Sequence, residues 1–170
     1  MKTIESAAGL YAHAIAIEQE AVERYSEFAQ RMADLGNDAV AEIFANLAKT
    51  EANHLQALER RADGMVLPLL ARGEYCWLDA GSPETAAREL IFRLMTPRQA
   101  LAIALEAEKQ AQAFFEHVVT TAPNAALGTL AREMAIDEQE HVAMIERALA
   151  HTPKPVDWPA VYDSNPSGTT

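Results

Sequence analysis

The chain has 170 residues, of which 49% are hydrophobic and 6% aromatic, and its formal net charge is −11. This length fits one domain with a sizeable core, built mainly from Ala, Leu, Ile and Val. The negative charge argues against a nucleic-acid partner and against binding to an anionic membrane. The single cysteine, Cys76, excludes an intrachain disulfide and a four-cysteine zinc or iron site.

The apolar segments point to a cytoplasmic protein. No apolar run approaches the roughly 20 residues that a membrane-spanning helix requires. The early stretch AAGLYAHAIAI has the apolar character of a signal sequence, but its helical pattern continues into IEQEAVERY. We therefore interpret it as part of a long helix and not as a targeting segment.

Four long helical patterns predict an all-α fold. The first covers about residues 4–35 and stops at Gly36, and the second covers about 37–62. The third opens with the capping-box pattern TPRQ at Thr96 and runs to about residue 121. The fourth starts after Pro123 and ends near residue 151, before two further prolines.

The segment 63–96 connects the second and third helices and is too long for a tight turn. It contains a predicted short helix, ETAARELIFRLM, that begins after Ser82-Pro83. Such a connection suits a crossover between opposite ends of an antiparallel four-helix bundle. We therefore predict a bundle over residues 1–151, followed by an irregular tail over 152–170.

Each helix carries one stripe of residues with the 3-4 spacing of a bundle core. The four predicted stripes comprise Tyr11, Ala14, Glu18, Ala21, Tyr25, Phe28 and Met32; Val40, Phe44, Leu47, Glu51, His54 and Leu58; Leu101, Ala104, Glu108, Ala111, Phe115 and Val118; and Leu127, Ala131, Met134, Glu138, His141, Ile145 and Ala148. Every stripe is apolar except near its middle, where it carries a glutamate. The second and fourth stripes add a histidine one turn later. Surface charge has no reason to fall on the buried stripe four times at matching depth.

The chain also repeats its own pattern. Glu-x-x-Ala-x-x-x-aromatic begins at Glu18 and again at Glu108, 90 residues later. Glu-x-x-His begins at Glu51 and again at Glu138, 87 residues later. The first two helices are therefore echoed by the last two, which indicates a pseudo-twofold axis through the polar positions.

Four buried carboxylates need compensating charge, because burial of unpaired charge is costly. No Lys or Arg occupies a stripe, whereas two divalent cations would balance four carboxylates and two neutral imidazoles. A glutamate from each of two helices plus Glu-x-x-His from each of the others is the di-iron or di-manganese arrangement. Glu51 and Glu138 are expected to bridge two metals. One histidine then binds each metal, with a terminal glutamate beside it: His54, His141, Glu18 and Glu108.

Tyr25 lies two turns from Glu18 on the same stripe. Its hydroxyl is a candidate to hydrogen-bond a ligand carboxylate or to carry an electron, and a plain core role is an equal alternative. Phe115 holds the repeat-related place and can only pack. Three histidines off the stripes are predicted to be exposed: His13, His117 and His151.

The motifs IEQEAVERY, TEANHLQAL, ALEAEKQAQAFF and DEQEHVAMI resemble the rubrerythrin branch of the ferritin-like superfamily. The resemblance implies a four-helix bundle with two iron ions, reaction with H2O2 or O2, and frequent homodimers. It places the metal ligands on the stripe positions Glu18, Glu51, His54, Glu108, Glu138 and His141, with Tyr25 as the neighbouring tyrosine.

Two departures from rubrerythrins qualify this resemblance. Rubrerythrins carry a four-cysteine rubredoxin-like iron domain, whereas this chain has one cysteine, so an external electron donor is expected. Rubrerythrins also place an extra carboxylate one turn after the third-helix ligand, where this chain has Ala111. In this respect the six-residue ligand set is closer to a bacterioferritin-type ferroxidase centre.

Three functions follow as hypotheses. The first is a cytoplasmic di-iron oxidoreductase that reacts with H2O2 or O2. The second is ferroxidation coupled to iron storage or delivery. The third is a bundle stabilised by a structural metal such as Zn²⁺, serving as an interaction module. Hydroxylation of an organic substrate would need a pocket beside the metals that a sequence does not reveal.

Overall fold

The computed structural model describes residues 3–70 and 95–153. Within these residues lie four helices and no strand: α1 (Ala7–Asp34), α2 (Asp38–Arg61), α3 (Pro97–Thr121) and α4 (Ala125–His151). The predicted all-α class and its four long helices are therefore confirmed. The short helix predicted after Ser82-Pro83 and the tail beyond residue 153 lie outside the described residues.

Capping side chains fix where the helices begin. The Ser6 side chain accepts a hydrogen bond from the backbone N–H of Gly9, so α1 begins at Ala7 and not at Ile4 as predicted. The predicted capping box of α3 is present, because Thr96 and Gln99 each accept a hydrogen bond from the other's backbone N–H.

A tight turn at Gly36 joins α1 to α2. Gly36 has φ of 70°, a left-handed conformation that costs glycine little. Its N–H donates to the carbonyl oxygen of Ala33 at 2.9 Å, and the N–H of Asn37 donates to that of Met32 at 2.8 Å. This is the Schellman pattern of a helix C-terminus. The Asn37 side chain then caps α2 by accepting from Val40.

The helices pack as two antiparallel hairpins, α1 with α2 and α3 with α4. The start of α1, the end of α2, the end of α3 and the start of α4 share one core cluster. The opposite helix ends share a second core cluster. Since α2 and α3 both end in the first cluster, they run parallel, and the chain between them must pass from one end of the bundle to the other. This is the predicted crossover topology.

The buried apolar residues form two core clusters, one toward each end of the bundle. Core cluster I contains Ile4, Leu10, Tyr11, Ala14, Ile17, Leu58, Ala62, Ala111, Phe115, Val118, Leu127, Leu130, Ala131, Met134 and Ala135. Core cluster II contains Ala21, Tyr25, Phe28, Met32, Val40, Ala41, Phe44, Leu47, Ala48, Met95, Ala100, Leu101, Ala104 and Ile145. On all four helices the stripe glutamates fall between the residues of these clusters, so a polar layer separates two apolar half-cores.

The predicted stripes agree with the observed burial. Every stripe residue is buried except His54 and Ala148, which are partly exposed. His13 is a correction, because it was predicted to be exposed and is 4% exposed. Its ring stacks on Phe114 at 5.5 Å, and its Nδ1–H donates to the carbonyl oxygen of Gly9 at 2.8 Å. A buried helix face is wider than a 3-4 stripe, so α1 also buries this neighbour of the stripe.

None of the helices described is both long enough and apolar enough to cross a membrane.

Candidate metal centre

The six predicted ligand residues meet in the polar layer between the two core clusters. The four glutamates and His141 are buried, and His54 is partly exposed. Each reaches this layer because its helix phase places it on the buried stripe. The site therefore takes side chains from all four helices, as the repeated pattern predicts.

His141 lies at the centre of the contacts. Its Nδ1 is 2.9 Å from Glu51 Oε1, 3.4 Å from Glu108 Oε2 and 3.6 Å from Glu138 Oε2. The contact with Glu51 joins α4 to α2, so it links the two hairpins. One imidazole thus reaches carboxylates of three different helices.

His54 occupies a more open place in the layer. Its Nδ1 lies 3.5 Å from Glu51 Oε2, and its side chain is 28% exposed. Its ring stacks on that of His141, with centroids 5.3 Å apart and planes 16° from parallel. The side chain of His141 is only 3% exposed. The two histidines of the repeat therefore have different access to solvent.

Two groups of three side chains bring ligand atoms within 4.8 Å of one another. One group is Glu51, His54 and His141, and the other is Glu108, Glu138 and His141. Glu18 belongs to neither group, but its carboxyl group makes a side-chain contact with Glu51. The structure thus brings all six residues together and gives Glu18 the most peripheral place among them.

The Tyr25 hydroxyl donates a hydrogen bond to Glu108 Oε1, from α1 to α3. Tyr25 is fully buried, and its ring lies 5.9 Å from that of Phe44 in core cluster II. The other oxygen of Glu108 faces His141. The structure therefore contains both the predicted bond to a cluster carboxylate and the predicted core packing of Tyr25, and its role as an electron carrier stays a prediction.

Burial sets the protonation of the carboxyl groups. It raises the pKa of Glu18, with the negative charge of Glu51 adding to the effect. It also raises the pKa of Glu138, although the nearby His141 opposes this shift. For Glu51 the cost of burial is outweighed by polar contacts with both histidines, and its pKa falls to about 2.

The pKa values of His141 and Tyr25 are also raised. Burial alone would lower the pKa of His141, but contacts with Glu108, Glu138 and Glu51 outweigh it and raise that pKa. Burial, followed by the charge of Glu108, raises the pKa of Tyr25, so its hydroxyl stays protonated and remains a donor. In the metal-free protein, protons therefore provide the positive charge that the cluster requires.

The donor atoms fit divalent metal ions. Both carboxylate oxygens of Glu51 and the Nδ1 atoms of His54 and His141 are buried, and none has a hydrogen bond of acceptable geometry. The histidine nitrogens lie close to the Glu51 oxygens, but the angles between these atoms are poor for hydrogen bonding. Buried polar atoms without partners are costly, and metal ions bound in the layer would give these atoms partners. Carboxylate oxygens and imidazole nitrogens are ligands suited to iron and manganese.

Asp137 is a neighbour of the site whose role the stripe pattern does not reveal. It is exposed and lies off the predicted stripe of α4. Partial burial nevertheless raises its pKa, and the charges of His54 and His141 act in the opposite direction. Its carboxylate therefore lies within electrostatic reach of both imidazoles. Its position directly before Glu138 is the sequence signal that it lies near the cluster.

Comparisons with known proteins agree with this architecture. The rubrerythrin family model matches residues 10–73, and the model of the ferritin-like domain matches residues 97–167. A crystal structure described as an uncharacterized conserved protein from Magnetospirillum magnetotacticum MS-1 is similar with a TM-score of 0.79. It is 28% identical in sequence, and the match covers 89% of this chain and 98% of that one. A search of curated proteins gives no significant match.

Fold and site together define a four-helix bundle with a buried carboxylate–histidine cluster. The two family models match the two hairpins separately, in agreement with the internal repeat. The chain is similar to rubrerythrins in its first hairpin and to ferritin-like domains in its second, and its fold is a ferritin-like four-helix bundle.

Proposed function

We propose that the chain is a di-iron carboxylate oxidoreductase that reduces hydrogen peroxide or dioxygen. The observation that carries the proposal is the pair of three-ligand groups sharing His141 in the buried middle of the bundle. When bound, two iron ions supply the electrons that reduction of peroxide or dioxygen requires. The same donor atoms also allow manganese in one position, or zinc in a purely structural site.

Each hairpin would contribute three of the six residues that hold the metals, and His141 of the second hairpin adjoins both three-ligand groups. The residues that would hold the metals are Glu18, Glu51 and His54 from the first hairpin, and Glu108, Glu138 and His141 from the second. Four carboxylates and two neutral imidazoles carry a charge of −4, which two divalent ions balance. The metal ions would replace the protons that Glu18 and Glu138 retain in the metal-free protein, where burial raises their pKa.

Tyr25 positions one of these carboxylates. Because its hydroxyl donates to Oε1 of Glu108, the Oε2 atom is left to face His141 and the cluster. Phe44 and Phe115, both fully buried in the adjacent half-cores, exclude bulk water from the layer. The protein thus holds its ligands in a fixed arrangement in an apolar surrounding, which strengthens charge interactions within the site.

The proposal includes an external electron donor. The single cysteine of these 170 residues, Cys76, provides no four-cysteine iron site through which electrons could enter. We further propose that the protein acts in the cytoplasm as a homodimer, in defence against peroxide or in iron metabolism. The high negative charge of the chain argues against nucleic-acid binding in this role.

Metal analysis tests the first part of the proposal. Protein purified from its own host is expected to hold about two metal ions per chain, mainly iron, as the charge balance of the cluster requires. Anomalous scattering at the iron edge should place them at the six cluster residues. Fewer than about two ions per chain, or ions elsewhere, would contradict the proposal.

Peroxide consumption tests the reaction. The Fe²⁺-loaded protein, kept free of oxygen, should consume stoichiometric H2O2 faster than free Fe²⁺ at the same concentration. The Glu51→Ala/Glu138→Ala double variant should lose this advantage, because it removes one ligand from each three-ligand group. If that variant lost stability and the wild type showed no redox activity, a structural metal in an interaction module would be the better interpretation.

Ala111 favours ferroxidation as the second candidate function. It is 2% exposed and occupies the position at which rubrerythrins carry an additional carboxylate. A route of peroxide reduction that requires this carboxylate as a metal ligand is therefore not open to this protein. Ferroxidation coupled to storage requires a hollow assembly. Solution mass separates the two functions, because a dimer excludes an internal iron store whereas a large cage supports one.

A further inference from the structure

We infer that the two metal positions are unequal, and that the ion held at His54 is taken up from solvent past Asp137. The ion held by Glu108 and Glu138 lies in a closed position. This inference rests on the proposed metal centre and goes beyond it, because it assigns an access route and an uptake residue to one of the two positions.

Side-chain exposure gives the first argument. The His54 side chain is 28% exposed, whereas that of its repeat partner His141 is 3% exposed. Of the two three-ligand groups, the one with His54 has a partly exposed member, and the one with Glu108 and Glu138 has none. An ion in the first group can therefore exchange ligands with water at the edge of His54, whereas release from the second group requires the helices to separate.

Negative charge converges on the open edge. Asp137 is exposed on α4, one turn before His141, whose ring stacks on that of His54 at 5.3 Å, and its carboxylate interacts electrostatically with both imidazoles. Glu140, three residues after it, is also exposed and adds to the negative charge at Asp137, whereas Glu133 pairs with Arg61 at 2.9 Å. Charges of one sign at an opening raise the local concentration of counter-ions and the rate at which they arrive.

Unpartnered donor atoms lie behind the opening. Glu51 is 1% exposed, and neither of its carboxylate oxygens has a hydrogen-bond partner. The Nδ1 atom of His54 is likewise unpartnered, 3.5 Å from Glu51 Oε2. The acidic surface therefore continues inward to buried ligand atoms, which distinguishes it from an ordinary solvated helix face.

The internal repeat provides a comparison within the same molecule. Asp137 directly precedes Glu138, and the matching residue before Glu51 is Thr50. The Thr50 hydroxyl donates to the carbonyl oxygen of Asn46 on its own helix at 3.0 Å, so this position adds no charge. The second half of the repeat therefore carries a carboxylate, Asp137, at the position where the first half carries the neutral Thr50.

Uptake kinetics of Co²⁺ test the inference without any redox reaction. The metal-free protein is mixed with two equivalents of Co²⁺ in a stopped-flow instrument, and binding is followed by the visible absorption of the bound ion. Two phases of equal amplitude are expected, the faster from the position at His54. His54→Ala should remove the fast phase and retain the slow one, with circular dichroism confirming that the helices are intact.

Asp137→Asn tests the access route itself. It should slow the fast phase about fivefold, because one negative charge near the path of a divalent cation is lost, and leave the slow phase unchanged. The effect should shrink as salt screens the charge. Glu116→Gln, on the exposed face of α3, is the matched control, since it changes the net charge equally and should alter neither phase.

The outcomes separate this inference from the proposed function. Two bound equivalents that enter in a single phase would overturn the unequal positions, and an Asp137→Asn variant that behaves like Glu116→Gln would overturn the access route. Either result would leave the metal centre standing. Failure of the wild type to bind about two equivalents would overturn both.

Discussion

The two helical hairpins carry the same ligand pattern, but their histidines differ in exposure to solvent and their ligands differ in aromatic neighbours. In the first hairpin, His54 is 28% exposed and Tyr25 adds a hydroxyl to the polar layer. In the second, His141 is 3% exposed and the repeat-related aromatic residue is Phe115. The comparison teaches that repeated helix phase sets the positions of the ligands, whereas a few unmatched neighbours set their environments.

The hairpins are also not independent halves. The hydroxyl of Tyr25 in the first hairpin donates to Glu108 of the second. The Nδ1 of His141 in the second hairpin lies 2.9 Å from Glu51 of the first. Each hairpin therefore completes the environment of the other's ligands, and variants of repeat-related residues should differ in their effects.

The largest difference is expected between the two histidines. His141 belongs to both three-ligand groups, whereas His54 belongs to one. His141→Ala should therefore reduce bound divalent metal to well below one equivalent per chain, and His54→Ala should retain about one. Elemental analysis after dialysis against metal-free buffer measures both. Equal losses in the two variants would show that the histidines are equivalent.

The stability of the metal-free protein should fall as pH rises from about 5 to 8. Burial raises the pKa of Glu18 and Glu138 above the ordinary value of 4.5, and contacts with carboxylates raise that of His141 above 6.5 despite burial. The folded state then holds more protons than the unfolded state. Each additional proton lowers the free energy of unfolding by about 1.4 kcal/mol per pH unit.

Glu51 does not alter this window, because its pKa is lowered to about 2 and its contribution is lost only in acid. Divalent metal should reverse the slope, since the ions replace the extra protons and bind more tightly as pH rises. Urea denaturation at several pH values, with and without Mn²⁺, measures both slopes. A metal-free protein that gains stability up to pH 8 would contradict the protonated cluster.

A smaller effect is expected from Tyr25→Phe, which makes the two aromatic positions of the repeat alike. The change leaves Oε1 of the buried Glu108 without its donor, and should cost about 1–3 kcal/mol in the metal-free protein. Urea denaturation gives this cost, and a double-mutant cycle with Glu108→Ala isolates the pair, because alanine removes the accepting oxygen whereas glutamine would keep one. The same cost in both backgrounds would mean that the Tyr25 hydroxyl does not stabilise the protein through Glu108.

Helix phase and caps could be predicted from the sequence because they depend on local chemistry. Thr96 and Gln99 formed the predicted box, and Gly36 ended α1 as predicted. The stripe glutamates share one layer because a helix has a fixed rise per residue, so residues at matching depth meet. The start of α1 was predicted too early because the capping signal of Ser6 was overlooked.

Contacts between distant residues could not be predicted in the same way. The pattern indicated that Tyr25 lies near the ligands, but not that it bonds Glu108, 83 residues away, instead of Glu18 on its own helix. His13 was placed on the surface because a narrow stripe underestimates the face that a bundle helix buries. Both depend on packing between helices, which a single helix pattern does not encode.

The smallest effect is expected from the surface ion pairs. Arg61 and Glu133, 2.9 Å apart, join the hairpins, whereas Lys109 and Glu146, also 2.9 Å apart, lie within the second hairpin. All four side chains are about half exposed, so Glu133→Gln and Glu146→Gln should each change the free energy of unfolding by no more than about 0.5 kcal/mol. Thermal denaturation of both variants measures this. A loss above about 1 kcal/mol for Glu133→Gln alone would mean that surface charge helps to align the hairpins, whereas equal small losses leave that alignment to the buried layer and the two half-cores.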